Sequence, residues 1–351
     1  MIEELELLQF HREFVKIPSV SHHETEAADF VLGWLASKGV KTLRHGNNVI
    51  GYLSDSPKML LNSHLDTVPP CVGWTRDPYD VESIDGKVFG LGSNDAKGPA
   101  SAMLFAFDAA RRAGITDVAI VLVPEEETGG KGAEIAWPYV RDELGWNPMG
   151  VIVGEPTQMQ IGASQSGLVV LDLIAKGTPC HSANAAPDGS TNPVFALARD
   201  LTRLKSSLES GDFSATIQPT FLVGSTARNQ VPGEAKATLD IRTQPGTSHD
   251  ELIDSLRNLF NGEIEVRSQR LKAHACPLES ELIQSIQIAL PSAKPYHSNT
   301  MSDLVFFDGV DAVKMGPGVS ARSHSADEFI LESELIEGAE GYFRVLQEVL
   351  R

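Results

Sequence analysis

Five short polar segments each follow an apolar run and carry groups able to bind a cation or move a proton. In Met59-Leu60-Leu61-Asn62-Ser63-His64-Leu65-Asp66-Thr67, a continuous strand would send His64 and Asp66 to one side, because side chains alternate. A carboxylate so placed can orient a metal-binding imidazole, although His-x-Asp alone is a common pair. The second segment, Leu91-Gly92-Ser93-Asn94-Asp95-Ala96-Lys97-Gly98, offers Asp95, whose ordinary reading is a carboxylate at a helix start. The third places Glu125, Glu126 and Glu127 after the apolar run 118–123. Adjacent carboxylates in a loop are usually solvated charge. At the end of a buried strand they raise one another's pKa, and a cation would relieve the repulsion. The fourth, Val151-Ile152-Val153-Gly154-Glu155-Pro156-Thr157, repeats the arrangement with one carboxylate, and the fifth, Ala321-Arg322-Ser323-His324-Ser325-Ala326-Asp327-Glu328, adds a histidine. Taken singly, each has a structural explanation. Taken together they gather two His and several carboxylates where an open α/β sheet binds its ligands. That set suits a pair of divalent ions, with one carboxylate left over to act as a base. No H-E-x-x-H, G-x-S-x-G, P-loop or G-x-G-x-x-G is present. The clusters Gly90-Leu91-Gly92 and Gly129-Gly130-Lys131-Gly132 read as tight turns.

The elements that must carry these segments follow from hydrophobic spacing. Residues 1–35 read as amphipathic helices broken at Ile17-Pro18-Ser19. Strands are expected near 48–53, 59–61, 118–123 and 151–153, with a helix over 100–113. This alternation argues α/β layering with a largely parallel sheet. The middle changes character: strand 168–176, helix 192–208, strands 216–223 and 235–242, helix 248–260, strand 263–270. That β-α-β-β-α-β order is the split ferredoxin-like pattern. The α/β texture then resumes with helix 279–290, a strand near 312–315 and helix 332–350. The expected organisation is a catalytic domain in two parts, 1–166 and 274–351, interrupted by an inserted domain at 167–273.

Length and composition bound the function. The chain has 351 residues, 29 Lys+Arg against 47 Asp+Glu, and a formal net charge of −18. Such a surface repels nucleic acid and anionic lipid, so neither is expected as a partner. Cys71, Cys180 and Cys276 are widely separated, with no thiolate zinc spacing, which fits a reducing compartment. An acidic N-terminus with Glu3, Glu4 and Glu6 does not resemble a signal peptide, and no apolar run reaches membrane-spanning length. A cytoplasmic protein is expected.

In their order and spacing, the five segments resemble the M20 family of dinuclear zinc peptidases and amidohydrolases, over essentially the whole chain. The stretches Gly154-Glu155-Pro156-Thr157-Gln158-Met159-Gln160, Lys314-Met315-Gly316-Pro317-Gly318 and 321–329 are most similar to its branch containing acetylornithine deacetylase and succinyl-diaminopimelate desuccinylase. The resemblance implies a zinc-peptidase-like α/β catalytic domain with a mixed sheet, plus a ferredoxin-like lid and dimerisation domain. It implies two Zn²⁺, with Co²⁺ able to substitute. His64 and Glu155 would hold one ion, Glu127 and His324 the other, and Asp95 both, with a cis Asp95–Ala96 bond. Asp66 would orient His64 and Glu126 would be the general base, while Glu125 is given no catalytic role. Gly177-Thr178-Pro179-Cys180-His181-Ser182-Ala183 is similar to the family's Gly-x-x-Gly-His-Ser-Ala. His181 would then donate to the oxyanion across a homodimer, although Cys180 departs from the usual Gly. Arg242 would grip a substrate carboxylate and Asn229 would contact substrate. The implied reaction is hydrolysis of a small N-acyl amino acid, with N-acetyl-L-ornithine in arginine biosynthesis as the leading substrate. N-acetylcitrulline, N-succinyl amino acids, release of lysine from an amino-group carrier protein, and dipeptidase or carboxypeptidase activity are the alternatives. A metal-binding relative without turnover is disfavoured by the intact Glu126.

Overall fold

Runs of Val, Ile and Leu set the architecture. A computed structural model describes residues 2–225 and 227–351. Strands Val118–Val123 and Gly150–Val153 are buried at every position, as expected for strands covered on both faces. Met59–His64, also wholly buried, lies between them and runs parallel to both. Asp311–Lys314 adds in parallel beside Gly150–Val153. Antiparallel strands flank this core, Asn48–Tyr52 and Lys41–His45 on one side and Ile161–Gln165 on the other. The result is the mixed α/β sheet that the resemblance implies, less parallel than the alternation of strands and helices alone suggests. The flanking strand Lys41–His45 has no buried position, so hydrophobic spacing gives it no signal.

Helix Lys97–Arg112 packs against strands Met59–His64 and Val118–Val123 and is buried from Lys97 to Ala110. It starts three residues before the expected position, because Pro99 falls in its first turn. A missing N–H there removes no intrahelical bond. Helices Glu4–Lys16 and Thr25–Ser37 are separate, with Pro18 between them as expected. Helix Glu332–Val349 packs on Lys97–Arg112. Each fully buried Val, Leu or Ile in this core contributes about 1.5–3 kcal/mol.

The chain divides into two compact units, Met1–Ser164 with Ala275–Ser298 and Ser302–Arg351, and Gln165–His274 with Asn299–Met301. The second unit is an antiparallel sheet ordered Thr216–Val223, Glu234–Thr243, Gly167–Lys176, Glu263–Leu271. Helices Pro193–Ser210 and His249–Leu259 supply Leu197, Leu204, Leu252 and Leu256 to its core. Asn192 and Ser248 cap those helices through their side chains. The order is β-α-β-β-α-β, with an additional short pair between Cys180–His181 and Gln230–Val231. Among the described residues no helix is long and apolar enough to cross a membrane.

Candidate active site

The four parallel strands end at His64, Val123, Val153 and Lys314, so the segments that follow leave from one edge of the sheet. His64 is the last residue of its strand, and strand alternation therefore does not join it to Asp66. Asp66 lies two residues beyond the strand, between Leu65, whose N–H donates to Val123 O, and Thr67, whose N–H donates to Ser19 O. His64 Nδ1 is 3.0 Å from the Asp66 main-chain oxygen and 3.4 Å from its Oδ1. The Asp66 carboxylate accepts mainly from elsewhere: Ser21 Oγ at 2.7 Å, Glu126 N at 3.0 Å and Glu127 N at 3.1 Å. Asp66 thus touches the imidazole and also holds two backbone N–H groups of the acidic loop.

Asp95 is held by a device that spacing did not reveal. Phe329–Leu331 pairs antiparallel with Lys87–Phe89, bringing Glu328 against the loop that follows Phe89. The buried Glu328 carboxylate accepts from Gly92 N (3.1 Å), Asn94 N (2.9 Å) and Asp95 N (2.9 Å). Burial, then the charge of Asp95, pushes its pKa up to about 8. Asn94 bonds both ways with the Val319 main chain and donates to Ser323 Oγ, tying this loop to the segment carrying His324. The Asp95–Ala96 bond is cis. Lys97, fully buried, donates to Phe14 O (3.1 Å) and Ile17 O (2.7 Å), anchoring the next helix to the end of Glu4–Lys16. Glu155 follows Gly154, whose N–H donates to Asn62 O. A Cβ at Gly316 would lie 2.5 Å from Glu155 O, so only glycine fits beside that residue.

These loops bring the side chains together. Asp95 Oδ1 is 3.3 Å from His64 Nε2, and Oδ2 is 3.8 Å from His324 Nε2. His324 Nε2 is 2.9 Å from Glu127 Oε1. Three sets, His64–Asp95–Glu155, Asp95–Glu127–His324 and His64–Glu126–Glu127, each offer ligand atoms within 4.8 Å of one another. Imidazole nitrogens and carboxylate oxygens at this spacing are the donors that Zn²⁺ accepts. The site is short of positive charge. Burial followed by the Asp95 charge raises Glu155 to about 8, and Glu126 is pushed well above the usual carboxylate range, chiefly by burial. Burial would lower His64, but its hydrogen bonds to Asp66 and Asp95 carry it well above the usual value. His324 rises to about 9, first through Glu127. Asp303 is buried with both carboxylate oxygens unpartnered among the described residues and is raised to about 7 by burial. Nothing in its spacing marks it.

Glu155, Glu328 and Asp303 have folded pKa values above their unfolded ones. The stability they contribute is complete below about pH 4 and is lost as pH rises through about 7–8. The Tm of chelated protein should therefore fall by several degrees between pH 6 and pH 9, and added Zn²⁺ should reverse most of that fall. A thermal scan with a flat or rising Tm would contradict it.

The second unit gathers two other expected residues. His181 and Asn229 are neighbours through the Cys180–His181 and Gln230–Val231 pairing, with His181 Nε2 3.5 Å from Asn229 Nδ2. His181 Nδ1 accepts from Ala183 N, so a neutral ring carries its proton on Nε2. Arg242 is not free: Asp240 holds its guanidinium at two points, 2.8 and 3.1 Å. Glu125, given no catalytic role, faces His22 at 3.4 Å, and the half-buried His45 ring stacks on Tyr139.

Residues 60–348 match the profile of Peptidase family M20/M25/M40. A probable carboxypeptidase of Aspergillus terreus is 32% identical, over 73% of this chain and 64% of that protein. Among solved structures, a tripeptidase from Staphylococcus aureus superposes with a TM-score of 0.83 at 20% identity, covering 100% of both chains. The YXEP protein of Bacillus subtilis, described as a dinuclear metal binding peptidase from the M20 family, gives 0.75 at 15% identity, covering 99% of this chain and 98% of that one. At such identities these likenesses bear on the fold. With its profile match spanning most of the length and its strand ends carrying the clustered His, Asp and Glu, the chain belongs to Peptidase family M20/M25/M40.

Proposed function

We propose that this protein is a dinuclear metal-dependent hydrolase of the amide bond in small N-acyl amino acids. The observation that carries the reading is Asp95, which two ligand sets share, with Glu126 next to both. His64 and Glu155 would hold one ion and Glu127 and His324 the other, with Zn²⁺ the leading metal and Co²⁺ a substitute. When bound, such a pair acidifies a water and polarises the carbonyl. Glu126, partly buried and pushed above the usual carboxylate range, takes the proton of the attacking water and returns it to the departing amine. Asp66 keeps His64 Nε2 turned toward Asp95 and fixes the backbone under Glu126. His181 offers its Nε2–H to the carbonyl oxygen. Arg242 would exchange Asp240 for a substrate carboxylate, a pairing suited to its planar fork, and Asn229 would contact substrate beside His181.

The action of His181 in trans requires a homodimer. The edge strand Thr216–Val223 exposes Phe221, Leu222 and Val223, an unpaired apolar edge that soluble proteins normally cover. The expected mass in solution is that of two chains, and a fully active monomer by light scattering would reject this arrangement. The three cysteines form no disulfide among the described residues, which fits a cytoplasmic site of action.

Within this chemistry, the resemblance makes N-acetyl-L-ornithine the reference substrate, with N-acetylcitrulline and N-succinyl amino acids as neighbours. Dipeptidase or carboxypeptidase activity is the second reading, favoured by the name of the Aspergillus terreus relative. A release assay on acetylornithine, acetylcitrulline, succinylornithine, succinyl-diaminopimelate and a dipeptide, with Zn²⁺ or Co²⁺, separates them. N-acyl amino acids should be cleaved with the higher kcat/KM. Preference for the dipeptide would favour the second reading, and no cleavage of any would reject both.

A further inference from the structure

Within the set Asp95–Glu127–His324, burial fixes two members but not the third. The Asp95 and Glu127 side chains are almost wholly buried, whereas that of His324 is half exposed. The His324 backbone is left-handed, at φ 58°. A non-glycine residue keeps that conformation only where its surroundings impose it. The placement of His324 therefore depends on whatever holds the turn that carries it.

Arg322, two residues earlier, is gripped at three points. Its guanidinium donates twice to Glu334, Nη1 to Oε2 at 2.6 Å and Nη2 to Oε1 at 3.1 Å, the paired geometry that a planar fork favours. Glu334 lies in the first turn of helix Glu332–Val349 and also accepts from Leu331 N at 3.0 Å. The same guanidinium lies over the Phe329 ring, with Cζ 4.4 Å from its centroid. At the main chain, Arg322 O accepts from Ser325 Oγ at 2.7 Å, which closes the turn around His324. Phe329 directly follows Glu328, whose carboxylate holds the Asp95 N–H. Arg322 thus ties the His324 turn to the strand beside Glu328 and to the helix that packs on Lys97–Arg112.

We propose that Arg322 is a positioning residue for His324: its fork on Glu334 and its stack on Phe329 hold the imidazole where it can share an ion with Asp95 and Glu127. The proposal rests on the dinuclear reading above. Among the described residues Arg322 makes no hydrogen bond or ion pair with His64 or Glu155, so the other ion should be indifferent to it. Lysine at this position would keep the charge without the two-point fork, and methionine would keep an apolar stem over Phe329 without either.

The test measures the dissociation constants of the two Zn²⁺ by chelator competition on the wild type, Arg322→Met, Arg322→Lys and Glu334→Gln. Arg322→Met should weaken, by roughly 10–100-fold, only the ion that His324→Ala also loses, the usual effect of removing an outer-shell partner. Arg322→Lys and Glu334→Gln should weaken the same ion less, and they carry the comparison if Arg322→Met fails to fold. In a His324→Ala background, Arg322→Met should cost nothing further. An Arg322 that only supports the fold would lower Tm with both constants unchanged, or weaken the two ions equally. Either result overturns the proposal, as does a full additional loss in the His324→Ala background. If the wild type binds no ion, the dinuclear reading fails, and the imidazole resonances of metal-free protein decide separately. Those of His324, identified by their absence from His324→Ala, should shift in Arg322→Met while those of His64 stay in place. Unchanged His324 resonances, or an equal shift of His64, would overturn the positioning role.

Discussion

Glu126→Gln should lower kcat by roughly 10²–10⁴-fold, the usual effect of losing a general acid–base group, while both metal ions remain bound. The substitution keeps the shape and removes the proton acceptor. Folding should survive, because the Glu126 main-chain N–H, not its side chain, is the group that Asp66 holds. Burial is the main force raising the Glu126 carboxyl, with Glu155, Asp303 and Glu127 contributing further. A neutral amide relieves that repulsion, so the Tm of the variant should equal or exceed that of the wild type. Steady-state kinetics with metal analysis on the same preparation checks the prediction. Near-normal kcat with two ions bound would remove Glu126 from the mechanism.

Asp95→Asn should be as severe for a different reason. Asp95 is the one residue common to His64–Asp95–Glu155 and Asp95–Glu127–His324, so its charge serves both ligand sets. Outer-shell partners of metal ligands typically cost 10–100-fold in affinity when lost, and a shared inner ligand should cost more. The variant should lose both ions under conditions that leave the wild type loaded, and its activity with them. His324→Ala touches one set only and should lose one ion first. Circular dichroism will separate loss of metal from loss of fold, since the main-chain N–H of residue 95 can still donate to Glu328. Two ions retained in Asp95→Asn at wild-type kcat/KM would rule out a shared role.

The seven residues of the first-unit site were legible because each lies in a short polar segment near an apolar, buried strand or helix. Val118–Val123 announces Glu126 and Glu127, and Gly150–Val153 announces Glu155. Reading His64 and Asp66 as strand neighbours named two residues that do meet, although the strand ends at His64 and the 3.0 Å contact runs from its Nδ1 to the Asp66 main-chain oxygen. Glu328 lies in the fifth polar segment with no task visible there, because the N–H groups it receives lie 233–236 residues earlier. Their meeting depends on pairing between two three-residue strands, too short for any periodicity. Asp303 was invisible for a related reason: its burial near Glu126 is set by tertiary packing, and its own flanks carry no motif. The inserted unit was readable because strand Glu234–Thr243 alternates between buried and more exposed positions over ten residues, and Gly167–Lys176 does so except at the buried Asp172. The bidentate hold of Asp240 on Arg242 was available in principle, since residues two apart on a strand share a face.

Metal content and turnover measured on one preparation test the central claim most directly. Protein equilibrated with Zn²⁺ and freed of excess ion should hold two ions per chain. Chelation should abolish hydrolysis of N-acyl amino acids, and activity should return as Zn²⁺ or Co²⁺ is restored toward two per chain. Full hydrolytic activity in protein proven free of divalent metal, or no ion bound at any concentration tested, would contradict it.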